Sequence, residues 1–241
     1  MPPFVEIGPD DALVRGRTGR GISVAVIDSG IHAGHPHIGG VAGGVAIADD
    51  GRFHHDLVDR LGHGTAVAAA IHEKAPDAAI HVVKIFHDAL ATNMEALVAA
   101  LDWASEQGIR LLNLSLGTAN IENAPDLSAA VERVSCRGSI LLSATTDADR
   151  TWYPGSLAGV VGALLDPGCP RERIRVSEAP LALRVAASGF ARPIPGVPPE
   201  RNLNGVSFSV ANATGVIACL LEGRPEVTSP ETLSDLIHHA A

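Results

Sequence analysis

Residues 21–30 read GISVAVIDSG, a run of small and β-branched apolar residues held between glycines and ended by an aspartate. Successive side chains of a strand face opposite sides of a sheet, so a run that is apolar at consecutive positions must be covered on both faces. Helices above and below a parallel sheet provide that cover. Similar runs recur at Ala79–Phe86 (AIHVVKIF), Ile109–Gly117 (IRLLNLSLG) and Ser139–Thr145 (SILLSAT). Between them, a helix opened by His63 and helices at Asn93–Gly108 and Asp126–Gly138 carry apolar residues at helical spacing, the last two stopped by glycine. The alternation predicts an α/β fold: a doubly wound, mostly parallel sheet flanked by helices. In such sheets ligands gather at the carboxyl ends of the strands. Asp28, Ser115 to Gly117 and Thr145 to Thr146 fall there.

Composition fits this reading. A hydrophobic share of 46% can fill a core for 241 residues, and 3% aromatic residues with 25 glycines imply close packing of helices on the sheet. From Asp166 to Asn204 the chain is rich in Pro, Gly and Arg, which predicts loop and sheet edge with one short strand, Leu181–Ala187. Helices are expected at Ser207–Gly223 and Ser229–Ala240. With no repeat and no linker, residues 1–241 are read as one domain.

A net charge of -9 with 18 Lys+Arg argues against nucleic-acid and membrane-surface partners, both of which rely on clustered cations. The start, MPPFVEIGPDDALVRG, has no basic stretch leading into an apolar one, and no apolar run is long enough to cross a bilayer. The expected setting is soluble and cytoplasmic, without signal peptide or propeptide domain. Cys136, Cys169 and Cys219 are odd in number and widely spaced, so reduced thiols are expected, with Cys219 in the core.

Three residues carry candidate chemistry. Asp28 ends a buried strand, His63 opens a helix inside Gly-His-Gly, and Ser207 opens another after Asn-Gly. A carboxylate that orients an imidazole, an imidazole that takes a hydroxyl proton, and a hydroxyl that attacks a carbonyl make a nucleophilic hydrolase, and Asp-His-Ser is a known chain order for it. Each residue alone has a structural reading; their joint order points to catalysis.

The motifs around these residues resemble the subtilisin family of serine proteases. VAVIDSGIHAGHPHI resembles its aspartate motif, GHGTAVAAAI its histidine motif and NGVSFSVANATG its serine motif; APDAAIHVVKIF, LLNLSLG and YPGSLAGVVGAL follow in the family order. The resemblance implies a serine endopeptidase with Asp28 as orienting carboxylate, His63 as general base and acid, and Ser207 as nucleophile. It also implies an oxyanion donor in the Ser207 N–H, a substrate-pairing edge at Ser115, Leu116 and Gly117, and an S1 wall including Ala144 and Thr145. The partner is then a peptide or protein, with a completing subunit a further option. Precursor-peptide processing inside the cell is the finer expectation.

Some positions depart from the family. Thr146 occupies the place of its oxyanion asparagine, and losing such a donor costs on the order of 3 to 4 kcal/mol in the transition state. Either Thr146 donates, or Asn204 or Asn212 substitutes, or the enzyme is slow. Val206, Ser209 and Ala211 keep the serine motif small while changing its letters. A peptide-binding protein that no longer cuts is the alternative from another class. A nucleotide-binding reading fails, because GRTGRG precedes the first strand instead of following it. The histidines 32, 35, 37, 54 and 55 match no metal spacing, and no cofactor is expected. Calcium stabilises many family members; Asp49, Asp50 and Asp56 are the candidate oxygens, with a solvated acidic loop the preferred reading.

Overall fold

The computed structural model describes residues 4–147, 150–179 and 182–239. Leu181 and Ala240, the outer bounds of two expected elements, lie outside them. In chain order the elements are β1 (Val5–Ile7), β2 (Ser23–Asp28), β3 (Gly43–Ile47), β4 (Phe53–His54), α1 (His63–Lys74), β5 (Ala79–Lys84), α2 (Met94–Glu106) and β6 (Leu111–Leu114). There follow α3 (Ala124–Cys136), β7 (Ile140–Ala144), the small hairpin β8 (Thr146–Asp147) and β9 (Arg150–Thr151), β10 (Val160–Leu165), β11 (Ile174–Ala179), β12 (Ala182–Ala187), α4 (Val206–Leu221) and α5 (Pro230–His239).

The main sheet has the order β1-β11-β12-β10-β7-β6-β2-β5-β3-β4. From β12 through β3 neighbouring strands run parallel, and the outer pairs are antiparallel. Side-chain alternation splits the core as expected. Val24 and Val26 of β2 point into the layer shared with α1 and α4, whereas Ala25 and Ile27 point into the layer with α2 and α3. Alanines 68 to 70 of α1 and Ala211, Ala213 and Ala218 of α4 are buried at the first of these layers, so two helices approach the sheet and each other closely. Every residue of α4 from Phe208 to Leu221 is buried, which makes it the central helix of its layer. Cys219 packs there, its thiol directed at the carbonyls of Lys74 and Arg17.

The strands that the sequence reading passed over lie mainly at the sheet's margins. Ile174–Ala179 was expected as loop, yet it pairs antiparallel with β12 and with β1. Its letters alternate: Ile174 and Val176 are buried, while Arg175 faces outward to ion pairs with Glu6 and Asp166. An edge strand buries one face only, so its arginines imitate a surface loop. β3, β4, β10 and the β8–β9 hairpin were likewise unassigned in that pass. None of the helices longer than one turn is apolar enough over enough length to cross a membrane among the described residues.

Candidate active site

β2 delivers Asp28 to the carboxyl edge of the sheet, where it is fully buried. Its carboxylate accepts from His63 Nδ1 at 2.8 and 3.0 Å and from the Ser29 backbone N–H at 2.7 Å. A buried carboxylate without such donors would be strongly disfavoured. Burial by itself would lower the His63 pKa; the hydrogen bond and charge of Asp28, helped by the charge of Asp59, outweigh it and raise the pKa above the ordinary histidine value. With Nδ1 committed to Asp28, Nε2 is the nitrogen left for chemistry. The His63 side chain keeps 16% exposure, enough to be reached.

The glycines about His63 have separate physical roles. Gly62 caps α1 at φ +80°, the left-handed turn that glycine makes without strain. Gly64 is needed for closeness: a Cβ there would lie 2.2 Å from the Gly30 carbonyl oxygen. The close approach is thus by the chain's own backbone, and it draws α1 against the end of β2.

Asp59, which the sequence reading did not single out, fastens this turn. One of its oxygens accepts from Ser29 Oγ, Leu61 N and Gly62 N at 2.8 to 2.9 Å, the other from the Thr65 N–H and hydroxyl at 2.9 and 2.7 Å. Partial burial pushes its pKa up, but these bonds outweigh that and hold it below the usual carboxylate range. An acid a few residues ahead of an uncapped helix start was the available signal. Lys84, buried and in register with Asp28, donates to the Val58 carbonyl at 2.7 Å and holds the same loop from beneath.

Ser207 lies in the first turn of α4. Gly205 caps that helix at φ 146° and ψ 175°, a region open essentially to glycine alone, and provides no side chain to occupy the first N–H groups. The Ser207 N–H therefore sits at a helix N-terminus suited to an oxyanion. The next residue, Phe208, packs its ring 5.8 Å from the His63 ring between centroids, which brings the start of α4 against the start of α1. In this rotamer the Ser207 hydroxyl donates to the Ser115 carbonyl at 3.0 Å instead of to His63.

The other expected residues divide. Ser115, Leu116 and Gly117 follow β6 directly, and the Ser115 carbonyl meets the Ser207 hydroxyl. Ala144 is buried in the core, and the Thr145 hydroxyl is engaged with Ser156 Oγ at 2.9 Å, so neither side chain is free for a substrate. Thr146 is exposed at the start of β8, paired with Thr151. Asn212 does not fit the substitute role considered for it. It is fully buried, and its amide donates to the Ser188 and Phe190 carbonyls at 2.7 and 3.1 Å. Asn113 of β6 is equally buried. Asn204 is exposed, its amide 3.4 Å from the Asn202 carbonyl.

Among the described residues no three His, Cys, Asp or Glu side chains converge to hold a metal. Asp50 and Asp56 pair with Arg52 and Arg60, each at 2.6 Å. Their charges are already met by cations.

A doubly wound sheet with an Asp28–His63 pair at a strand end and Ser207 at a helix start has the layout of a serine-type hydrolase. The chain belongs to the subtilase family, whose sequence model matches residues 19–241. It is a subtilisin-like serine protease, and its substrates are peptides or proteins. Subtilisin DY of Bacillus licheniformis is 24% identical over 250 residues, covering 95% of this chain and 87% of the relative. M-protease of Shouchella clausii is 29% identical across 88% of this chain, which spans 57% of that relative's length. An intracellular serine protease of Paenibacillus polymyxa is 25% identical over 98% of this chain and 79% of its own. Among solved structures, a cold adapted subtilisin-like serine proteinase superposes with TM-score 0.70 at 20% identity, covering 91% of this chain and 82% of that one. The prenylagaramide maturation protease PagA superposes with TM-score 0.64 at 23% identity over the same shares.

Proposed function

We propose that Asp28, His63 and Ser207 form the catalytic triad of an endopeptidase working through an acyl-enzyme. The observation carrying this reading is the buried Asp28–His63 pair at 2.8 Å, facing the N-terminus of the helix that bears Ser207. Rotation of the Ser207 hydroxyl from Ser115 to His63 Nε2 readies it; such bonds commonly tighten only once substrate is present. Nε2 takes the hydroxyl proton as Oγ bonds to the scissile carbon, and the Ser207 N–H receives the oxyanion. The imidazolium then protonates the leaving amine as the C–N bond breaks. Water, activated by the same nitrogen, releases the acyl half and restores Ser207.

We read residues 1–241 as one working unit acting in the cytoplasm on a precursor peptide, with Ser115 to Gly117 pairing with the substrate's acyl half and Ala144 and Thr145 shaping the adjoining pocket. The intracellular relative and the maturation-protease fold neighbour support this finer reading. A second reading, a peptide-binding protein that does not cut, draws on the missing side-chain amide at Thr146.

Labelling decides between them. A fluorophosphonate probe is expected to add one adduct, mapped to Ser207 by mass; an unlabelled folded protein would favour the second reading. The pH dependence follows from His63. Only its neutral form accepts a proton, so kcat/KM is expected to rise with pH through an apparent pKa above 6.5, the direction set by Asp28. A pH–rate profile with its acid limb at or below 6.5 would contradict that pairing.

A further inference from the structure

Between the N-terminal segment, the end of α1 and the second half of α4 lies a cavity of about 310 Å³. Val14, Val216 and Cys219 line it with apolar surface, and Arg17, Lys74 and Arg171 bring positive charge to it. It is separate from the triad. Lys74 follows His63 by eleven residues along α1 and Cys219 follows Ser207 by twelve along α4, which at about 1.5 Å of rise per residue places the cavity roughly 16 to 18 Å away. The two helices that begin with His63 and Ser207 therefore both run on to this second opening.

The charges of its lining are incompletely matched. Arg171 donates to both Glu73 oxygens, at 3.1 and 2.5 Å, and to the Phe190 carbonyl at 3.2 Å, so its guanidinium is engaged. The Lys74 ammonium shares Glu73 at 2.9 Å and otherwise has only the Ala70 carbonyl, at 3.4 Å, which leaves one of its three N–H groups without a partner among the described residues. Arg17 donates to the Glu222 carbonyl and makes no ion pair among the described residues. Glu172, the other acid of the lining, is exposed. The Lys74 side chain is only 8% exposed, and burial pushes its pKa down to about 8, with the charge of Arg171 adding to the fall and that of Glu73 opposing it. A buried cation compensated so weakly is short of an anion.

We propose that this cavity binds a small carboxylate with an apolar body, its head on Lys74 and Arg17 and its body against Val14 and Val216. The two kinds of lining select the two parts of the ligand. An inorganic anion would leave the apolar wall uncovered, and an uncharged apolar molecule would leave the Lys74 N–H unpaired. A basic ligand would meet three cations. Binding here does not depend on peptide cleavage, so the inference stands apart from the triad reading.

Calorimetric titration of the wild-type protein with hexanoate, hexan-1-ol, hexylamine and inorganic phosphate tests the proposal. Hexanoate is expected to bind with a Kd of about 0.1 to 1 mM, in keeping with its few atoms, and at least about tenfold more tightly than the other three, the gain from a charge-assisted hydrogen bond. A pH series identifies the cation. Lys74 faces Glu73 on its own helix, Arg17 on the N-terminal segment, Arg171 and Glu172 on the loop before β11, and Cys219 on α4, whose thiol burial pushes up to about 11. Of these groups Lys74 alone changes charge near pH 8, so hexanoate affinity is expected to fall about fivefold to tenfold from about pH 7 to about pH 9, an interval over which an ordinary surface lysine keeps its proton. Lys74→Met is expected to raise the Kd about tenfold and flatten the pH series, and Lys74→Arg to hold the Kd within about threefold. The wild-type series decides by itself should Lys74→Met fail to fold. Hexan-1-ol or phosphate matching hexanoate, an affinity level across the pH series, or no binding of hexanoate by the folded protein would each overturn the proposal.

Discussion

Ser207→Ala and His63→Ala are each expected to lower kcat on a cleaved peptide by about a millionfold, and the double variant by no more than either alone. That is the size measured for the equivalent groups of subtilisin, where nucleophile and base act as one unit. Without Ser207 no oxygen can receive the acyl group; without His63 the hydroxyl keeps its proton. Asp28→Asn is expected to cost less, about ten-thousandfold, because it leaves the ring in place while holding the wrong tautomer. It should also move the acid limb of the pH–rate profile downward, since the charge and hydrogen bond that raise the His63 pKa are lost. Single-turnover hydrolysis of a peptide, with circular dichroism to confirm folding, measures all three. A loss below about a hundredfold in Ser207→Ala would remove the nucleophile assignment, because positioning and oxyanion binding alone account for a residual rate near that of the double variant.

Thr146→Asn is expected to raise kcat by about a hundredfold with KM little changed. An oxyanion-hole amide acts on charge that develops only in the transition state, and one such donor is worth about a hundred- to a thousandfold. The shorter threonine hydroxyl gives up reach that asparagine restores. Thr146 is exposed in a two-residue strand, so the change disturbs no core packing. Asn212 cannot already supply the missing bond, because its amide donors are spent on Ser188 and Phe190. Thr146→Val completes the measurement: a fall in kcat would show the threonine hydroxyl donating. If Thr146→Asn leaves kcat unchanged, the position does not face the developing oxyanion.

The legible parts of this protein were those where local chemistry and fold agree. β2 was readable because both faces are buried, and α1 because Gly62 and the small residues after His63 fit a helix start pressed against a sheet. β11 was not, because its outward arginines gave it the composition of a loop. Asp28, His63 and Ser207 stood out through their motifs, whereas Asp59 did not. Its five hydrogen bonds come from four residues at β2's end, in its own loop and in α1, and only their meeting reveals that it fastens the histidine turn.

By itself, the order of letters determined the layered α/β architecture, the three reactive residue types and their sequence of appearance, since period and glycine placement act over a few residues. What only the tertiary structure decided was which groups remain available. Folding committed Asn212 to two carbonyls, set Gly64 against the Gly30 backbone, turned the Ser207 hydroxyl toward Ser115 and opened a cavity beside Lys74. Availability depends on contacts between residues far apart in the chain, and a hydrogen-bond donor already satisfied inside the protein has nothing left to offer a substrate.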